Sequence, residues 1–488
     1  MEQPGARPVV AIVGGGIAGL AAAFFLRDEP VEVVVLEGSP GVGGKLSLSE
    51  VAGMAVDVGA EALLARRPEG TDLIRAAGLA GDLVAPGTTA ARIWSRGEMR
   101  RLPARQMMGV PADLDELGRS GLLSAAGLTR ARHDLELPAT ARDGDIEVAS
   151  YVGARFGQEV VDRLVDPLLG GVYAGRSEQL SFEATLPGLA DESRRHSSLA
   201  EAAGALLESG TGHAGAGSAA GPAPSVGSVF TTLAGGLGTL PAAVAAASGA
   251  TVRTGAMVRE LSRTPSGWRL TVGSAHAPEH VYADAVVLAV PGRPAGRLLA
   301  GVPGAAPAAA ALGGIGYASM AIVTLAYPRS AFPHAPEGSG YLVPAVDGHP
   351  VKAVTFSSIK WPHLQAGHPE LILVRCSVGR VGEESVLHRE DGELAALAAA
   401  DLAAATGVHG HPVDARVTRW GGALPQYTVG HRERVAAIRA SVASEPGLAV
   451  CGAAYDGVGI PACIATARAA ADQIAAHLRE RQAASQPG

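Results

Sequence analysis

At the start of the chain, a glycine-rich turn and a helix-like segment separate two apolar runs. Val9–Val13 is an uninterrupted apolar run rich in β-branched residues, which is typical of a strand buried on both faces of a parallel sheet. A turn with several glycines follows, and Leu20–Arg27 then has the composition of a helix. A second apolar run, Val31–Leu36, ends at Glu37. This order of strand, turn, helix and strand predicts the opening of an α/β fold.

The turn between the two strands has the GxGxxG spacing of a dinucleotide-binding fingerprint. Gly14 permits the tight turn, Gly16 lets a pyrophosphate approach the backbone, and Gly19 lets the helix pack closely on the strand. Glu37 follows at the spacing where a carboxylate meets ribose hydroxyls, which favours an unphosphorylated ribose and leaves FAD and NAD both open. The expected contacts are Gly14, Gly16, Ile17, Ala18, Gly19 and Glu37.

Later segments continue the α/β pattern. Thr251–Leu261 and Trp268–Val272 alternate apolar and polar residues, as in a hairpin. The apolar run Ala283–Pro291 indicates another buried strand, and Leu448–Gly452 indicates a last one. A glycine-rich turn and a long alanine-rich helix to about residue 479 follow that last strand. Because a helix that begins at such a turn can bind an anion, a second anion site is predicted here.

The middle of the chain has a different pattern. Helical periodicity in Thr71–Ala77 and Ala112–Leu123 predicts a largely helical cap. Residues 203–228 lack periodicity and consist mainly of Gly, Ala, Ser and Pro, so they cannot bury enough apolar surface to order themselves. We therefore expect a flexible surface insertion. Residues 315–420 alternate strands with short helices, as in a second, larger sheet.

Composition excludes several classes of protein. Apolar residues make up 47% of the 488 residues and charged residues 18%, so the chain is not disordered as a whole. The net charge of −7 and the lack of a Lys/Arg-rich block disfavour nucleic acid as a partner. Three cysteines without metal-site spacing indicate a reducing cytoplasm and no metal. Pro8–Leu26 is uncharged and long enough to cross a membrane, but its glycines and fingerprint assign it to a folded domain.

The residues after Glu37 separate FAD from NAD. Glu37–Lys45 resembles the ExxxRxGGK continuation of the flavin monooxygenase-like and amine-oxidase-like superfamily, and Asp57–Glu61 resembles its D-x-G-A-x turn, which passes beneath the flavin. Gly41 stands where that pattern has Arg, and Lys45 is expected to compensate in part. The resemblance implies FAD as the cofactor. The further contacts expected with it are Gly38, Gly43, Gly44, Lys45, Gly59, Ala60, Val258, Gly452, Gly457, Val458, Gly459 and Ile460.

Four stretches resemble one family within this superfamily, the oxygen-dependent porphyrinogen oxidases. Phe156–Gly175 resembles the family's RFG-EVV and PLLxGVYAG signature. Gly340–Pro344 with Ser357–His363 resembles its GSGFLVP and SSxKWPH segments, and Arg419–His431 resembles its RW and PQYxVGH element. Gly452–Ile464 resembles its GNAYDGxGIPDCI terminus. Together these resemblances extend over nearly the whole chain outside the insertion.

The resemblance implies an enzyme that oxidises a porphyrinogen to the aromatic porphyrin with O2 and releases H2O2 in heme biosynthesis. Coproporphyrinogen III is the expected substrate, by analogy with soluble bacterial members, and protoporphyrinogen IX is the alternative. A flavin amine oxidase, a carotene desaturase or a binding protein without chemistry would share the fold, but the four motifs argue against them. Ala453 and Ala462 replace the Asn and Asp of the last motif, which removes polar contacts near the flavin.

The flavin carries out the hydride chemistry in such enzymes, so no acid-base residue is assigned. His431 is expected to be a structural turn residue, and Asp456 a cap at a helix start. The substrate's propionates require cations. The cationic candidates are Arg67, Arg92 and Arg155. The residues expected to line the slot for the macrocycle are Leu168, Val172 and Tyr173.

The predicted fold class is α/β, with a Rossmann-like FAD-binding domain, a mixed-sheet substrate domain and a helical cap. The predicted divisions are 1–80, 229–300 and 421–480 for the FAD-binding parts, 81–205 for the cap, 206–228 for the insertion, 301–420 for the substrate sheet and 481–488 for a disordered tail. The expected location is the cytoplasm. The expected partners are the porphyrinogen and O2, and contact with a membrane surface or with a heme-pathway enzyme that takes the product stays open.

Overall fold

The structure is a computed structural model that describes residues 7–140, 144–209 and 229–485. Most of the predicted insertion therefore lies outside the described residues. The strands are β1 (Val9–Val13), β2 (Glu32–Leu36), β3 (Leu48–Val51), β4 (Met54–Asp57), β5 (Leu63–Leu64), β6 (Leu83–Val84), β7 (Ala91–Ser95), β8 (Glu98–Arg101), β9 (Gln106–Met107), β10 (Val110–Pro111), β11 (Phe230–Leu233), β12 (Thr251–Arg253), β13 (Val258–Thr264), β14 (Gly267–Ser274), β15 (Ala277–Ala283), β16 (Ala285–Leu288), β17 (Tyr317–Pro328), β18 (Gly340–Leu342), β19 (Val351–Phe356), β20 (Leu371–Val378), β21 (Asp414–Pro425) and β22 (Leu448–Val450).

Helices make up most of the remaining regular structure. The helices are α1 (Ile17–Leu26), α2 (Pro68–Ala76), α3 (Leu114–Ser120), α4 (Ala125–Arg132), α5 (Val148–Phe156), α6 (Gln158–Val160), α7 (Asp166–Tyr173), α8 (Phe182–Thr185), α9 (Pro187–Glu192), α10 (Leu199–Glu208), α11 (Leu240–Ser248), α12 (Gly292–Leu299), α13 (Ala306–Gly313), α14 (Ser357–Lys360), α15 (Pro362–Gly367), α16 (Asp391–Thr406), α17 (His431–Ala443) and α18 (Ile460–Ser485). Within the described ranges, no helix is long and apolar enough to cross a membrane.

The first sheet has five parallel strands in the order β12, β2, β1, β16, β22. Its central strands are apolar along their length because helices cover both faces. On one face, α1, α11 and α18 form a buried cluster with Val10, Ile12 and Val287. On the other face, α12, α13 and α17 and the three-stranded sheet β13–β15 form one with Ala11 and Val286. The predicted α/β arrangement around the glycine-rich turn is confirmed.

The second sheet has seven strands in the order β21, β17, β20, β19, β18, β7, β8. It is mixed, because β18 runs parallel to β7 while the other neighbouring strands are antiparallel. Helix α16 packs on one face of it. Two corrections to the predicted division at 301–420 follow. Strand β21 continues to Pro425, and β7 and β8 come from the segment predicted as helical cap, because strands that pair here are distant in the chain.

The cap consists of α3–α10 packed around one buried cluster. A π-helical turn, Val161–Val165, precedes α7. The cluster contains Leu164 and Phe156 from the cap and also Tyr427, which comes from the segment after β21. Val458, from the turn before α18, packs against the same cluster. The cap therefore lies directly over the end of the first sheet that carries the glycine-rich turns.

Two predicted boundaries and one predicted element differ from the structure. Helix α10 passes the predicted end of the cap at residue 205, and α18 includes residues 481–485 of the predicted disordered tail. Arg481 Nη1 donates to Asp284 Oδ1 at 2.9 Å and ties that end of α18 to the first sheet. The predicted hairpin has a third strand, β15, which pairs with β14 along its whole length. Its residues are mostly exposed and do not alternate between apolar and polar, so the sequence contains no pattern from which to predict it.

Candidate active site

The glycine-rich turn after β1 is tightly packed at two glycines and open at a third. Gly14 has a φ of +109°, and a β-carbon there would lie 2.7 Å from the carbonyl oxygen of Ala289. A β-carbon on Gly19 would lie 1.9 Å from the carbonyl oxygen of Gly14. At Gly16, no atom of the described residues lies within 4 Å of the β-carbon position. The backbone before α1, which begins at Ile17 and Ala18, is therefore open to a phosphate.

Glu37 holds this turn from the end of β2. Glu37 Oε2 accepts a hydrogen bond from Gly15 N at 2.6 Å, and Oε1 accepts one from Ser39 N at 2.7 Å. An ionised carboxylate accepts about four hydrogen bonds, so both oxygens keep a lone pair for ribose hydroxyls. The side chain predicted to bind the ribose therefore also shapes the loop around it.

The segment after Glu37 returns to the first turn. Gly43 N donates to the carbonyl oxygen of Gly15 at 2.8 Å, and Gly43 and Gly44 both have positive φ values. Burial lowers the pKa of the Lys45 ammonium group. At Gly41, no atom of the described residues lies within 4 Å of the β-carbon position. The space that the Arg of the superfamily pattern would enter is therefore open.

One residue beside the segment after Glu37 is absent from the sequence prediction. Met257 lies over Gly38, where a β-carbon would be 2.6 Å from Met257 Cε. Met257 is 52% exposed, whereas the predicted contact Val258 beside it is buried. Ala256 N donates to the carbonyl oxygen of Glu37 at 2.7 Å and brings this segment alongside β2. The sequence gives no sign of this position for Met257, because only the long-range pairing with the end of β2 brings it next to Gly38.

The second glycine-rich turn, after β22, lies beside the first. A β-carbon on Gly452 would be 3.7 Å from Cβ of Ala18 in α1. Gly452 N donates to Thr466 Oγ1 of α18 at 2.9 Å. Gly457 has a φ of +138°, and its N–H donates to Tyr427 Oη at 2.8 Å. The remaining predicted contacts in this turn are Val458, Gly459 and Ile460. Both predicted anion sites thus lie at the same edge of the first sheet, beyond the carboxyl ends of its strands.

Two polar residues near the second turn have partners inside the protein. The His431 ring stacks on Tyr427 with centroids 3.8 Å apart, and His431 Nε2 lies 3.0 Å from the carbonyl oxygen of Tyr455. Burial lowers the pKa of this imidazole. Asp456 forms an ion pair with Arg439, so it does not cap a helix as predicted. Helix α18 begins four positions later, and the structure shows no bond from its first N–H groups to Asp456 among the described residues.

The D-x-G-A-x turn is held by contacts on both sides. Asp57 accepts two backbone hydrogen bonds of 2.9 Å from the 237–239 turn, and burial raises the pKa of its carboxyl to about 6. A β-carbon on Gly59 would lie 1.9 Å from the carbonyl oxygen of Lys45. Ala60 N donates to the same oxygen at 3.0 Å. Gly59 and Ala60 are thereby fixed against the end of the predicted ExxxRxGGK segment.

Arg155 does not belong to a ligand site. Its guanidinium is 2% exposed and pairs with Asp134, which is fully buried. The remaining donors reach the carbonyl oxygens of Pro138 at 2.6 Å, Asp134 at 2.7 Å and Ser197 at 2.6 Å. The prediction that Arg155 binds a propionate is therefore wrong, because its donors are already used to join α5 to the chain before α10.

Arg67 and Arg92 are accessible but lie on different elements. Arg67 precedes α2 and forms an ion pair with Glu69 at 2.5 Å; the two side chains are 34% and 28% exposed. Arg92 is in β7 and pairs with Glu337, whose side chain is 76% exposed. Each guanidinium thus has one carboxylate partner at the surface, which a substrate carboxylate could replace.

The three predicted slot residues divide between core and surface. Leu168 and Tyr173 are buried in the cap cluster, whereas Val172 near the end of α7 is 40% exposed. A β-carbon on the neighbouring Gly171 would lie 3.5 Å from Leu342 Cδ2 in β18. Since β18 pairs with β7, this end of α7 packs on the neighbour of the strand that carries Arg92.

The sequence model of the family described as flavin containing amine oxidoreductase matches residues 17–475, which is almost the whole chain. The chain belongs to this family. Its members' cofactor agrees with the paired glycine-rich turns, so the FAD predicted from the sequence is confirmed, and the protein is an oxidoreductase.

The chain is also similar to individual members of this flavin-containing family. A coproporphyrinogen III oxidase of Mycobacterium tuberculosis (strain H37Rv) is 37% identical over 463 residues, which cover 93% of this chain and 95% of that protein. The coproporphyrinogen III oxidase of Bacillus subtilis (strain 168) is 31% identical over 477 residues, covering 96% and 98%. A protoporphyrinogen oxidase of Bos taurus is 30% identical over 510 residues, covering 95% and 98%.

Solved structures of other oxidases have the same fold as this chain. A candidate protoporphyrinogen oxidase from Exiguobacterium sp. 255-15 superposes with a TM-score of 0.82 at 30% identity, covering 96% of this chain and 99% of that one. A cyclohexylamine oxidase from Brevibacterium oxydans gives a TM-score of 0.68 at 16% identity, covering 97% and 100%. At that identity the second comparison shows the shared fold alone.

Proposed function

We propose that this flavoprotein oxidises coproporphyrinogen III to coproporphyrin III with O2, releases H2O2 and acts in heme biosynthesis. The observation that carries this proposal is the similarity of the chain, over nearly its full length, to coproporphyrinogen III oxidases of several bacteria. The four porphyrinogen-oxidase motifs support it, because they lie at the carboxyl edge of the first sheet, in the cap above it and in the strands beside it.

When bound, FAD would accept one hydride in each of three two-electron oxidations of the macrocycle and would pass the electrons to O2; three protons leave the macrocycle as well, so three O2 become three H2O2. In our proposal Gly14, Gly16 and Gly19 admit and orient the dinucleotide, and Glu37 binds its ribose. Gly59 and Ala60 support the ring system from the D-x-G-A-x turn. We expect the other cofactor contacts at Ile17, Ala18, Gly38, Gly43, Gly44, Lys45, Val258, Gly452, Gly457, Val458, Gly459 and Ile460.

The substrate is a flat, apolar macrocycle with charged propionates around it. We propose that it lies beside the exposed Val172 of α7 and Arg92 of β7, next to the place where Leu342 of β18 packs on Gly171. Arg92 then binds one propionate, and Arg67 binds another nearer the D-x-G-A-x turn. Leu168 and Tyr173, both buried, support this wall from inside the cap.

Steady-state oxidation of both porphyrinogens tests this function. With purified protein and added FAD, we expect porphyrin fluorescence and peroxide to rise with coproporphyrinogen III, and more slowly with protoporphyrinogen IX. Faster turnover of protoporphyrinogen IX would favour the alternative substrate, for which the similarity to the Bos taurus protein is the supporting observation. Turnover of an amine with no porphyrinogen oxidation would contradict the proposal.

The proposed organisation follows from the two sheets and the cap. Residues 1–80, 229–300 and 421–480 contribute the FAD-binding part, with the boundary corrections given above. We propose that the enzyme works in a reducing compartment, the cytoplasm, and the three buried thiols of Cys376, Cys451 and Cys463, none of them in a disulfide, support this. The small-molecule substrate is the partner on which the function depends.

A further inference from the structure

Glu61 lies between two cations in the interior. Glu61 Oε1 accepts a hydrogen bond from Lys360 Nζ at 2.7 Å, and Oε2 accepts one from Arg375 Nη1 at 2.6 Å. The side chains of Glu61, Lys360 and Arg375 are only 14%, 17% and 10% exposed. These two cations hold the pKa of the Glu61 carboxyl at about 2, although burial alone would raise it.

The three residues come from three separate parts of the fold. Glu61 ends the D-x-G-A-x turn, directly after Ala60. Lys360 ends α14 and belongs to the SSxKWPH segment, for which the proposed function gives no role. Arg375 lies in β20, in the interior of the second sheet, and its Nη2 also donates to the carbonyl oxygen of Gly59 at 2.6 Å. The cluster therefore ties the turn to the second sheet through the Gly59 carbonyl oxygen and through the Glu61 side chain.

The surroundings of this cluster are polar and enclosed. A small chamber of about 20 Å³ beside it is lined by residues that include Asp57, Glu61 and Arg375. Four buried polar atoms of its lining residues have no protein partner in the described part of the chain. These atoms are Thr232 Oγ1, Thr324 Oγ1, Ser357 Oγ and Trp361 Nε1. A chamber of this size and polarity suits a single water molecule.

Stability alone does not account for an ion pair that is largely shielded from water. Removing two charges from water costs about as much as their attraction returns, so well-packed apolar side chains would serve the fold equally well. A bidentate carboxylate held from two directions instead fixes the position and orientation of the backbone that carries it. The Val58 carbonyl oxygen is fixed as well, because it accepts a hydrogen bond from Trp420 Nε1 at 2.8 Å.

We propose that Glu61, Lys360 and Arg375 are positioning residues that hold the Gly59–Ala60 backbone at the distance from the substrate sheet that hydride transfer requires. This inference rests on the proposed contact of Gly59 and Ala60 with the flavin. It assigns the SSxKWPH segment a role in aligning the cofactor with the porphyrinogen, which is bound on the same sheet.

The test replaces Lys360 and measures the flavin directly. In the purified holoenzyme, Lys360→Met is expected to slow anaerobic flavin reduction by coproporphyrinogen III roughly ten- to a hundredfold, because misplacement of reacting atoms by about 1 Å has effects of that size. KM and the Kd for FAD are expected to stay within about twofold of wild type. The midpoint potential of the flavin is expected to fall, since loss of a nearby cation disfavours the more negative, reduced form.

Three further variants complete the experiment. Lys360→Arg keeps the charge and is expected to restore most of the reduction rate and the wild-type potential. Lys360→Gln keeps a hydrogen-bond donor but removes the charge. It replaces Lys360→Met in the test if that variant does not fold, and the same changes in reduction rate and potential are expected. Arg163→Met is the matched control, because Arg163 and its partner Asp347 are 15% and 12% exposed in an ion pair outside the cluster. Its flavin potential is expected to be unchanged.

The outcomes separate this inference from the proposed function. A Lys360→Met enzyme with wild-type potential and reduction rate, even with a lower melting temperature, would show a purely structural ion pair and overturn the inference. If wild-type protein did not oxidise coproporphyrinogen III, the proposed function would fail. The midpoint potential would still decide the inference in that case, because its measurement needs no substrate.

Discussion

The α-carbon of Gly19 faces the carbonyl oxygen of Gly14 so closely that a β-carbon would lie 1.9 Å from that oxygen. No side-chain rotamer relieves this contact, because the position of a β-carbon on Gly19 and that of the Gly14 oxygen are both fixed by the backbone between β1 and α1. The glycine spacing of the fingerprint is thus required by the protein itself, in addition to the room it leaves for a ligand.

This contact separates the roles of the glycines. Gly19→Ala is expected to lower the melting temperature by several degrees and to reduce FAD retention with it, since α1 must move away from β1. Gly16→Ala is expected to keep the wild-type melting temperature of the apoprotein and to weaken FAD binding, because its β-carbon position is open only until a phosphate approaches. Gly41→Ala is the control with no expected effect. Thermal unfolding of apoprotein and FAD titration measure both quantities, and a stable, FAD-free Gly19→Ala protein would contradict this assignment.

Arg155→Met is expected to destabilise the fold without affecting substrate binding. The change leaves Asp134 buried without its cation, which costs roughly 3–5 kcal/mol. Denaturant unfolding measures this loss, and Arg75→Met, in an exposed pair with Asp72, is the control with an expected change below about 0.5 kcal/mol. A folded Arg155→Met enzyme with a raised KM would instead return Arg155 to the substrate site.

Asp57 predicts a pH dependence of stability. Burial raises the pKa of its carboxyl from 3.8 to about 6 in the folded protein. Its contribution is therefore fully present below pH 4 and is lost as the pH rises through 6, by up to roughly 3 kcal/mol. Asp57→Asn has no such titration. The difference in unfolding free energy between the two proteins is expected to change in favour of Asp57→Asn between pH 4 and pH 7, and a constant difference would show that the carboxyl does not titrate in this range.

Arg92 is the residue on which substrate preference can be tested. Arg92→Ala is expected to raise KM for coproporphyrinogen III more than for protoporphyrinogen IX, because the first has four propionates and the second two. One charge-assisted contact of about 1.4 kcal/mol corresponds to about tenfold. Glu337→Gln, which removes the present partner of Arg92, is expected to lower KM. Equal changes in KM for both substrates would remove Arg92 from the proposed site.

The sequence by itself determined the first βα unit, its glycine positions and Glu37. These features depend on neighbours in the chain: a run of buried β-branched residues, a turn that only glycine can form, and a carboxylate at the end of the next strand. The fold class and FAD followed from them together with the motif resemblance. The long-range register of β7 with β18 did not, because strand pairing between distant segments leaves no local periodicity.

The tertiary structure alone decided which charged side chains are available to a ligand. Arg155 and Arg92 look alike in the sequence, yet one is enclosed by carbonyl oxygens and a buried Asp134, while the other is partly exposed and has an exposed partner, Glu337. Glu61 and Lys360 are distant in the chain and become a partly buried ion pair only when the second sheet packs against the turn. Charge is a property of the residue, but its accessibility and its partner are set by packing between distant segments.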